Sequence, residues 1–222
     1  MKISIIVPIY NVQSQLKKCI NSLLGQEKND LRTQIILVND GSTDDSGNIA
    51  REYYENNKNK ITYLEKENGG LSDARNYALN YIDKDSDYIS FIDSDDYISN
   101  DLYEKLLPYM QEKYDMVKFK VNKVKENGEL IEENYSPEFT KKTGEEAFDI
   151  LYKSDVMTEI ACGYIYRKDF FIENNFKFAK GMYHEDFGLI PLIILKAKHI
   201  ASVKVGNYYY VQTEKSITRG DN

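Results

Sequence analysis

The chain of 222 residues carries 29 Lys and Arg against 36 Asp and Glu, for a formal net charge of −7, with two His, two Cys and no Trp. That length suits one domain or a domain with an appended lobe, and a content of 41% hydrophobic and 13% aromatic residues excludes a disordered chain. The acid excess excludes a general nucleic-acid binder, which needs a basic face.

In chain order, short apolar runs alternate with amphipathic segments. Residues 3–7 have the unbroken apolar character of a buried strand, and 12–24 place Val12, Leu16, Cys19, Ile20, Leu23 and Leu24 at helical spacing. A strand over 34–38, a helix over 44–56 and a strand over 61–65 follow. Next come a helix over 71–82, carrying Ala74, Ala78 and Leu79, and a strand over 88–92. Such alternation predicts an α/β fold with a parallel sheet covered on both faces.

Beyond residue 112 the regular alternation lapses. Residues 115–124 and 130–133 read as strands joined by the Glu126-Asn127-Gly128 turn, and 144–152 as a helix. Residues 160–166 read as a strand, 185–198 as a helix through Pro191, and 200–211 as one or two strands with a turn at Gly206-Asn207. There is no repeat and no Gly/Ser/Pro-rich linker, so the halves 1–112 and 113–222 are expected to be lobes of one domain over 1–222.

Cys19 and Cys162 match no zinc or redox spacing and read as buried thiols of a reducing compartment. The apolar run before Pro8 and the stretch 189–195, broken by Pro191, are too short for a signal-peptide core or a membrane span. The expectation is a cytoplasmic protein, with peripheral attachment to the inner face of a membrane left open.

Ligands of parallel sheets bind beyond the carboxyl ends of the strands. That rule singles out the loops 8–11, 39–44, 66–70 and 93–96. In Asp93-Ser94-Asp95-Asp96, three carboxylates within four residues repel one another unless a cation or hydrogen bonds offset them. Carboxylates on a loop suit Mg²⁺ or Mn²⁺, which complete their shells with phosphate oxygens, so a nucleoside diphosphate is the natural companion. The other reading has Asp95 and Asp96 capping a helix that starts near Asn100. Asp40 stands at a strand end ahead of Gly41, while Ser42, Thr43, Asp44 and Asp45 serve as a helix cap and first turn. Asp40 is not needed for capping and is free to accept the ring N–H of a pyrimidine.

In Glu67-Asn68-Gly69-Gly70-Leu71-Ser72-Asp73-Ala74-Arg75-Asn76, a Gly-rich entry to a helix suits phosphate. Arg75 is placed to pair with that phosphate or with the acidic loop, or is a plain surface residue. The Glu185-Asp186 pair either complements a helix dipole or supplies a general base, and His184 is either a ligand or a hydrogen-bonded structural group. No GxGxxG follows the first strand, and no Walker A loop or GxSxG elbow is present.

Four stretches, taken in order, resemble the family 2 glycosyltransferases, which have the GT-A fold. They are Ser4-Ile5-Ile6-Val7-Pro8-Ile9-Tyr10-Asn11, Ile36-Leu37-Val38-Asn39-Asp40-Gly41-Ser42-Thr43-Asp44, Asn68-Gly69-Gly70-Leu71-Ser72-Asp73-Ala74-Arg75-Asn76 and Phe91-Ile92-Asp93-Ser94-Asp95-Asp96. The likeness covers about residues 3–110, with Glu185-Asp186 and, more loosely, 210–218 matching later parts. It implies a Rossmann-like, mostly parallel sheet flanked by helices, with a mixed α+β acceptor lobe. The activity it implies is inverting, metal-dependent transfer of a hexose or N-acetylhexosamine from a UDP-sugar to a hydroxyl. The acceptor would be a glycan, glycoprotein or glycolipid in bacterial surface-polysaccharide or glycoconjugate synthesis.

By the same resemblance, Pro8, Tyr10 and Asp40 hold the uracil end, with Asn11 also in the nucleotide-sugar site. Asp73 and Arg75 lie near the ribose–phosphate or the sugar. Asp93-Ser94-Asp95 is the DxD motif, with Asp93 toward the ribose or sugar, Ser94 beside it, and Asp95 on a Mn²⁺ or Mg²⁺ that bridges the phosphates. Asp186 is the base that deprotonates the acceptor, and the third metal ligand is left between His184 and water. Tyr164, Tyr166 and Tyr208-Tyr209-Tyr210 are acceptor-lobe candidates, with plain strand packing as the alternative. A non-catalytic nucleotide-sugar-binding or scaffold module is the competing reading of the whole, and partner proteins or a homo-oligomer stay open.

Overall fold

A computed structural model of the chain describes residues 1–134, 136–154, 158–182 and 184–212. β1 (Lys2–Ile9) runs parallel to β2 (Arg32–Asp40) and to β4 (Tyr88–Phe91), and β2 runs parallel to β3 (Ile61–Lys66). The crossovers are α1 (Leu16–Leu24), α2 (Ser46–Asn56) and α3 (Leu71–Ala78), the last followed by a 3₁₀ turn at Leu79–Tyr81.

Strands that are apolar on both sides dictate the layers. Ile3, Ile5, Val7 and Ile9 of β1 face one core with Leu16, Ile20 and Leu23 of α1, while Ile6 faces a second core with Ala74 and Ala78 of α3. α4 (Leu102–Gln111) joins the first core through Leu102, Tyr103, Leu106 and Met110. The helices α5 (Gly144–Lys153), α6 (Lys168–Glu173) and α7 (Asp186–Lys196) join the second through Leu151, Phe171, Ile190 and Ile194.

The remaining strands are β5 (Tyr97–Ile98), β6 (Met116–Lys118), β7 (Val121–Lys125), β8 (Leu130–Asn134), β9 (Phe139–Lys142), β10 (Tyr164–Arg167), β11 (Ile200–Ser202) and β12 (Tyr208–Gln212). The main sheet has the order β3-β2-β1-β4-β10-β6-β11-β9, and a smaller sheet the order β5-β12-β7-β8. β10 lies antiparallel to both β4 and β6, which ends the parallel half.

The predicted strands and helices of the first half stand within a few residues of their expected places. The stretch 115–124 is not one strand: it divides into β6 and β7, which belong to different sheets. Likewise 200–211 divides into β11 and β12, and 160–166 opens with a 3₁₀ turn at Ala161–Gly163. The short β5 and β9 and the helix α6 were not anticipated, whereas α4 is the helix expected to start near Asn100. Asp95 and Asp96 do not cap α4, whose N-cap is Asp101. Tyr164, Tyr166 and Tyr208 are fully buried, so their packing role stands and an acceptor-facing role does not. Among the described residues no helix is long and apolar enough to cross a membrane.

Candidate active site

Parallel register brings the strand ends level. Pro8 is buried opposite Val38, and Ile9 lies opposite Asn39, so the loops after β1 and β2 leave the sheet side by side. Asn11 joins them from a left-handed backbone, φ 52°. Its Oδ1 accepts the N–H of Thr43 at 2.8 Å and that of Asp44 at 3.3 Å, and its own N–H donates to Ser42 Oγ at 3.2 Å. Tyr10, half exposed, stands at the rim.

Asp40 is buried at the end of β2 and anchors the next loop. Its Oδ1 accepts Lys66 Nζ at 2.6 Å and the Gly69 N–H at 3.0 Å, and its Oδ2 accepts the Gly70 N–H at 2.8 Å. Those glycine N–H groups therefore meet a carboxylate, not the open phosphate pocket that the sequence suggested. One acceptor direction remains on Oδ2. Lys66 also reaches Asp73 Oδ2 at 2.8 Å, and Lys180 pairs with the other oxygen of Asp73. The two lysines, Lys180 first, hold the Asp73 carboxyl below its ordinary range.

The turn 93–96 is closed by the Asp96 N–H on the Asp93 carbonyl at 3.1 Å. Its side chains alternate: Asp93 and Asp95 are partly exposed, while Ser94 and Asp96 are buried. Among the described residues no side chain hydrogen-bonds to Asp95, and burial followed by the Asp93 charge pushes its pKa up to about 6.

Arg75, 1% exposed, is the centre of the cleft. Its Nη2 donates to Asp93 Oδ1 at 2.7 Å, and its Nη1 is shared between Glu185 Oε1 at 2.5 Å and Asp186 Oδ1 at 3.0 Å. Asp186 opens α7, and its Oδ2 accepts the Ala161 N–H at 2.9 Å. Burial pushes the Asp186 pKa up to about 6, against the opposing pull of Arg75 and the Ala161 N–H. Arg75 Nε is buried without a partner among the described residues, and Phe178 lies 5.0 Å from the guanidinium carbon. One guanidinium facing three carboxylates leaves the cleft negative, a setting suited to a cation with its anionic ligand.

The structure thus joins Arg75, Asp93 and Asp186 by direct hydrogen bonds, with Glu185 as a further partner, and joins Asp40 to Asp73 through Lys66. Ser94 points inward beside them. His184, at φ 56°, packs edge-on against Phe187 with ring centroids 5.5 Å apart. Among the described residues no group of three His, Cys, Asp or Glu side chains is placed to hold a metal ion. An ion at Asp95, with Asp93 beside it, would complete its shell from phosphate and water. That donor set is the one Mg²⁺ favours.

Two participants, Lys66 and Lys180, lacked an assigned role in the sequence, and Tyr208 was read there only as an acceptor-lobe candidate or a packing residue. Lys66 was legible in principle, because it ends β3 on the ligand-binding edge. Lys180 comes from a distant segment that no local pattern marks, and nothing local to the Tyr-rich run ties Tyr208 to the acidic turn. Tyr208 donates its hydroxyl to Asp96 Oδ2 at 2.5 Å across 112 residues of chain.

The chain is similar to known glycosyltransferases in both sequence and fold. GlyA, a glycosyltransferase of Streptococcus pneumoniae serotype 4, is 46% identical over 67 residues, which are 30% of this chain and 9% of GlyA. The minor teichoic acid biosynthesis protein GgaB of Bacillus subtilis is 43% identical over 65 residues, 29% of this chain and 7% of GgaB. The structure of S. aureus TarS 1-349 in complex with UDP-GlcNAc superposes with a TM-score of 0.80 and 26% identity, covering 100% of this chain and 62% of that one. The chain thus spans under two thirds of that structure and about a tenth or less of these two relatives. Residues 4–174 match the model described as Glycosyl transferase family 2. A match of that extent decides the matter: the chain belongs to glycosyl transferase family 2.

Proposed function

We propose that the chain transfers a hexose or N-acetylhexosamine from a UDP-sugar to a hydroxyl of a surface glycan or glycoconjugate, with inversion at the anomeric carbon. The observation that carries this reading is the shared guanidinium. Arg75 ties Asp93, on the donor side, to Asp186, on the acceptor side, so both ends of one displacement meet in one cleft. The UDP-GlcNAc held by TarS supports a nucleotide-sugar donor, and GgaB supports a cell-surface polymer as the setting.

In this mechanism Asp186 takes the proton of the acceptor hydroxyl, whose oxygen attacks the anomeric carbon. The bond from that carbon to the diphosphate oxygen breaks, and its electron pair leaves with UDP. Asp95 would hold Mn²⁺ or Mg²⁺, with Asp93 beside it toward the ribose or sugar; as a Lewis acid the ion would offset the charge gathering on the leaving diphosphate. Arg75 keeps Asp186 ionised and aimed. Tyr10, at the rim, and the free lone-pair direction of Asp40 would receive the base.

The test is UDP release from a panel of UDP-sugars with Mn²⁺, comparing the native chain with Asp95→Ala and Asp186→Asn. Slow, donor-selective release that both substitutions and EDTA abolish is the expected result. Full-rate release in EDTA would overturn the metal role, and failure to bind UDP at all would overturn the proposal.

A further inference from the structure

Asp96 is the carboxylate of the acidic turn that the proposed reaction leaves unused. It is 1% exposed, and among the described residues no lysine or arginine pairs with it. Its oxygens go to β12: Oδ2 accepts the Tyr208 hydroxyl at 2.5 Å, and Oδ1 accepts the Val211 N–H at 2.7 Å. The same Tyr208 oxygen accepts the Asp93 N–H at 3.3 Å. A buried carboxylate satisfied by neutral donors alone costs stability that a neutral side chain would not. Such an arrangement calls for a reason beyond packing.

We infer that Asp96 and Tyr208 are positioning residues, through which β12 grips the acidic turn and holds Asp93 and Asp95 facing the cleft. This rests on the reading of Asp93 and Asp95 as the metal–diphosphate end of the site. The geometry is that of a clamp. Tyr208 holds the N–H that opens the turn and the carboxylate that closes it, so the in–out alternation of 93–96 is pinned at both ends. The anchor itself is rigid: Tyr208 is fully buried, and β12 is paired on one side with β5, which directly follows Asp96, and on the other with β7.

The test is calorimetric titration of UDP, with Mn²⁺ and separately in EDTA, alongside thermal unfolding. Tyr208→Phe keeps the ring and removes the hydroxyl. It is expected to weaken UDP binding in Mn²⁺ about tenfold, the scale of one hydrogen bond, and to leave binding in EDTA unchanged. A lowered melting temperature with wild-type UDP affinity in Mn²⁺ would reduce the pair to a structural tie and overturn the inference. If Tyr208→Phe does not fold, Asp96→Asn is read by the same titration. Its amide oxygen can still accept the Val211 N–H while its Nδ2 faces the Tyr208 oxygen, so Tyr208 loses its acceptor, and only the Mn²⁺-dependent binding should weaken. If the native chain binds UDP no better with Mn²⁺ than in EDTA, the metal reading has failed and takes the inference with it. The native titration alone distinguishes that case.

Discussion

Around Arg75 a single cation faces three carboxylates where water is scarce, and the proton affinities of the site follow from that. Asp186, raised to about 6, can serve as the proposed base only when ionised. Below that pH the reactive fraction falls about tenfold per unit, so kcat/KM measured against pH should show an acid limb near 6. A profile flat down to pH 5 would count against Asp186 as the base. Asp95, raised to about 6 from 3.8, has a consequence for stability as well. Its folded form holds the proton more tightly than the unfolded chain, so its cost is absent below about 3.8, grows through the window up to about 6, and is complete above it. Asp95→Asn should therefore raise Tm at pH 8 by about 2–4 °C, as expected for about 1 kcal/mol in a domain of this size, and change little at pH 4. Scanning calorimetry at the two pH values checks this. The same substitution should end the response to Mn²⁺, a gain in stability made at the expense of function.

At the scale of elements, α5 and α7 lie so close that only glycine fits where they meet. A Cβ at Gly144 would strike the Ile194 carbonyl, and the Gly144 N–H already bonds the Ala197 carbonyl at 2.9 Å. Gly144→Ala should cost about 1–3 kcal/mol by overpacking, seen as a lower urea midpoint. Because α7 begins with Asp186, turnover should fall with it. The helix itself is well started: Thr143 and Glu146 form a reciprocal capping box. The strands β1, β2 and β4 were legible because side chains apolar on both faces leave no other place for them. α4 was legible only by its start near Asn100: Leu102, Leu106 and Met110 keep helical spacing, but Pro108 sits within it. The acidic turn and Arg75 could be read from the sequence, but their pairing could not. Arg75 meets Glu185 and Asp186 across 110 and 111 residues, and such contacts leave no local trace. Asp40 was legible as a strand-end carboxylate. Its capture by Lys66, Gly69 and Gly70 depended on how the next loop folds back.

At the scale of the whole molecule, the cleft is bounded by segments from both halves, so an occupant should brace the entire fold. A ligand at 100 times its Kd adds about 2.7 kcal/mol to a native state that alone binds it. UDP with Mn²⁺ should then raise Tm by several degrees, and EDTA should remove most of the rise. An equal shift with and without EDTA would place UDP away from Asp95.

The route by which β12 reaches the acidic turn has a consequence for how the molecule is made. As the chain leaves the ribosome, β1 to β4 have all emerged by residue 91, and the parallel half of the sheet can assemble. Tyr208 and Val211 follow Asp96 only after 112 and 115 further residues. Through that interval the nascent chain holds the turn 93–96 but lacks the β12 contacts that clamp it. Translation interrupted before residue 208 would release a product with much of the first core and an unsecured acidic turn.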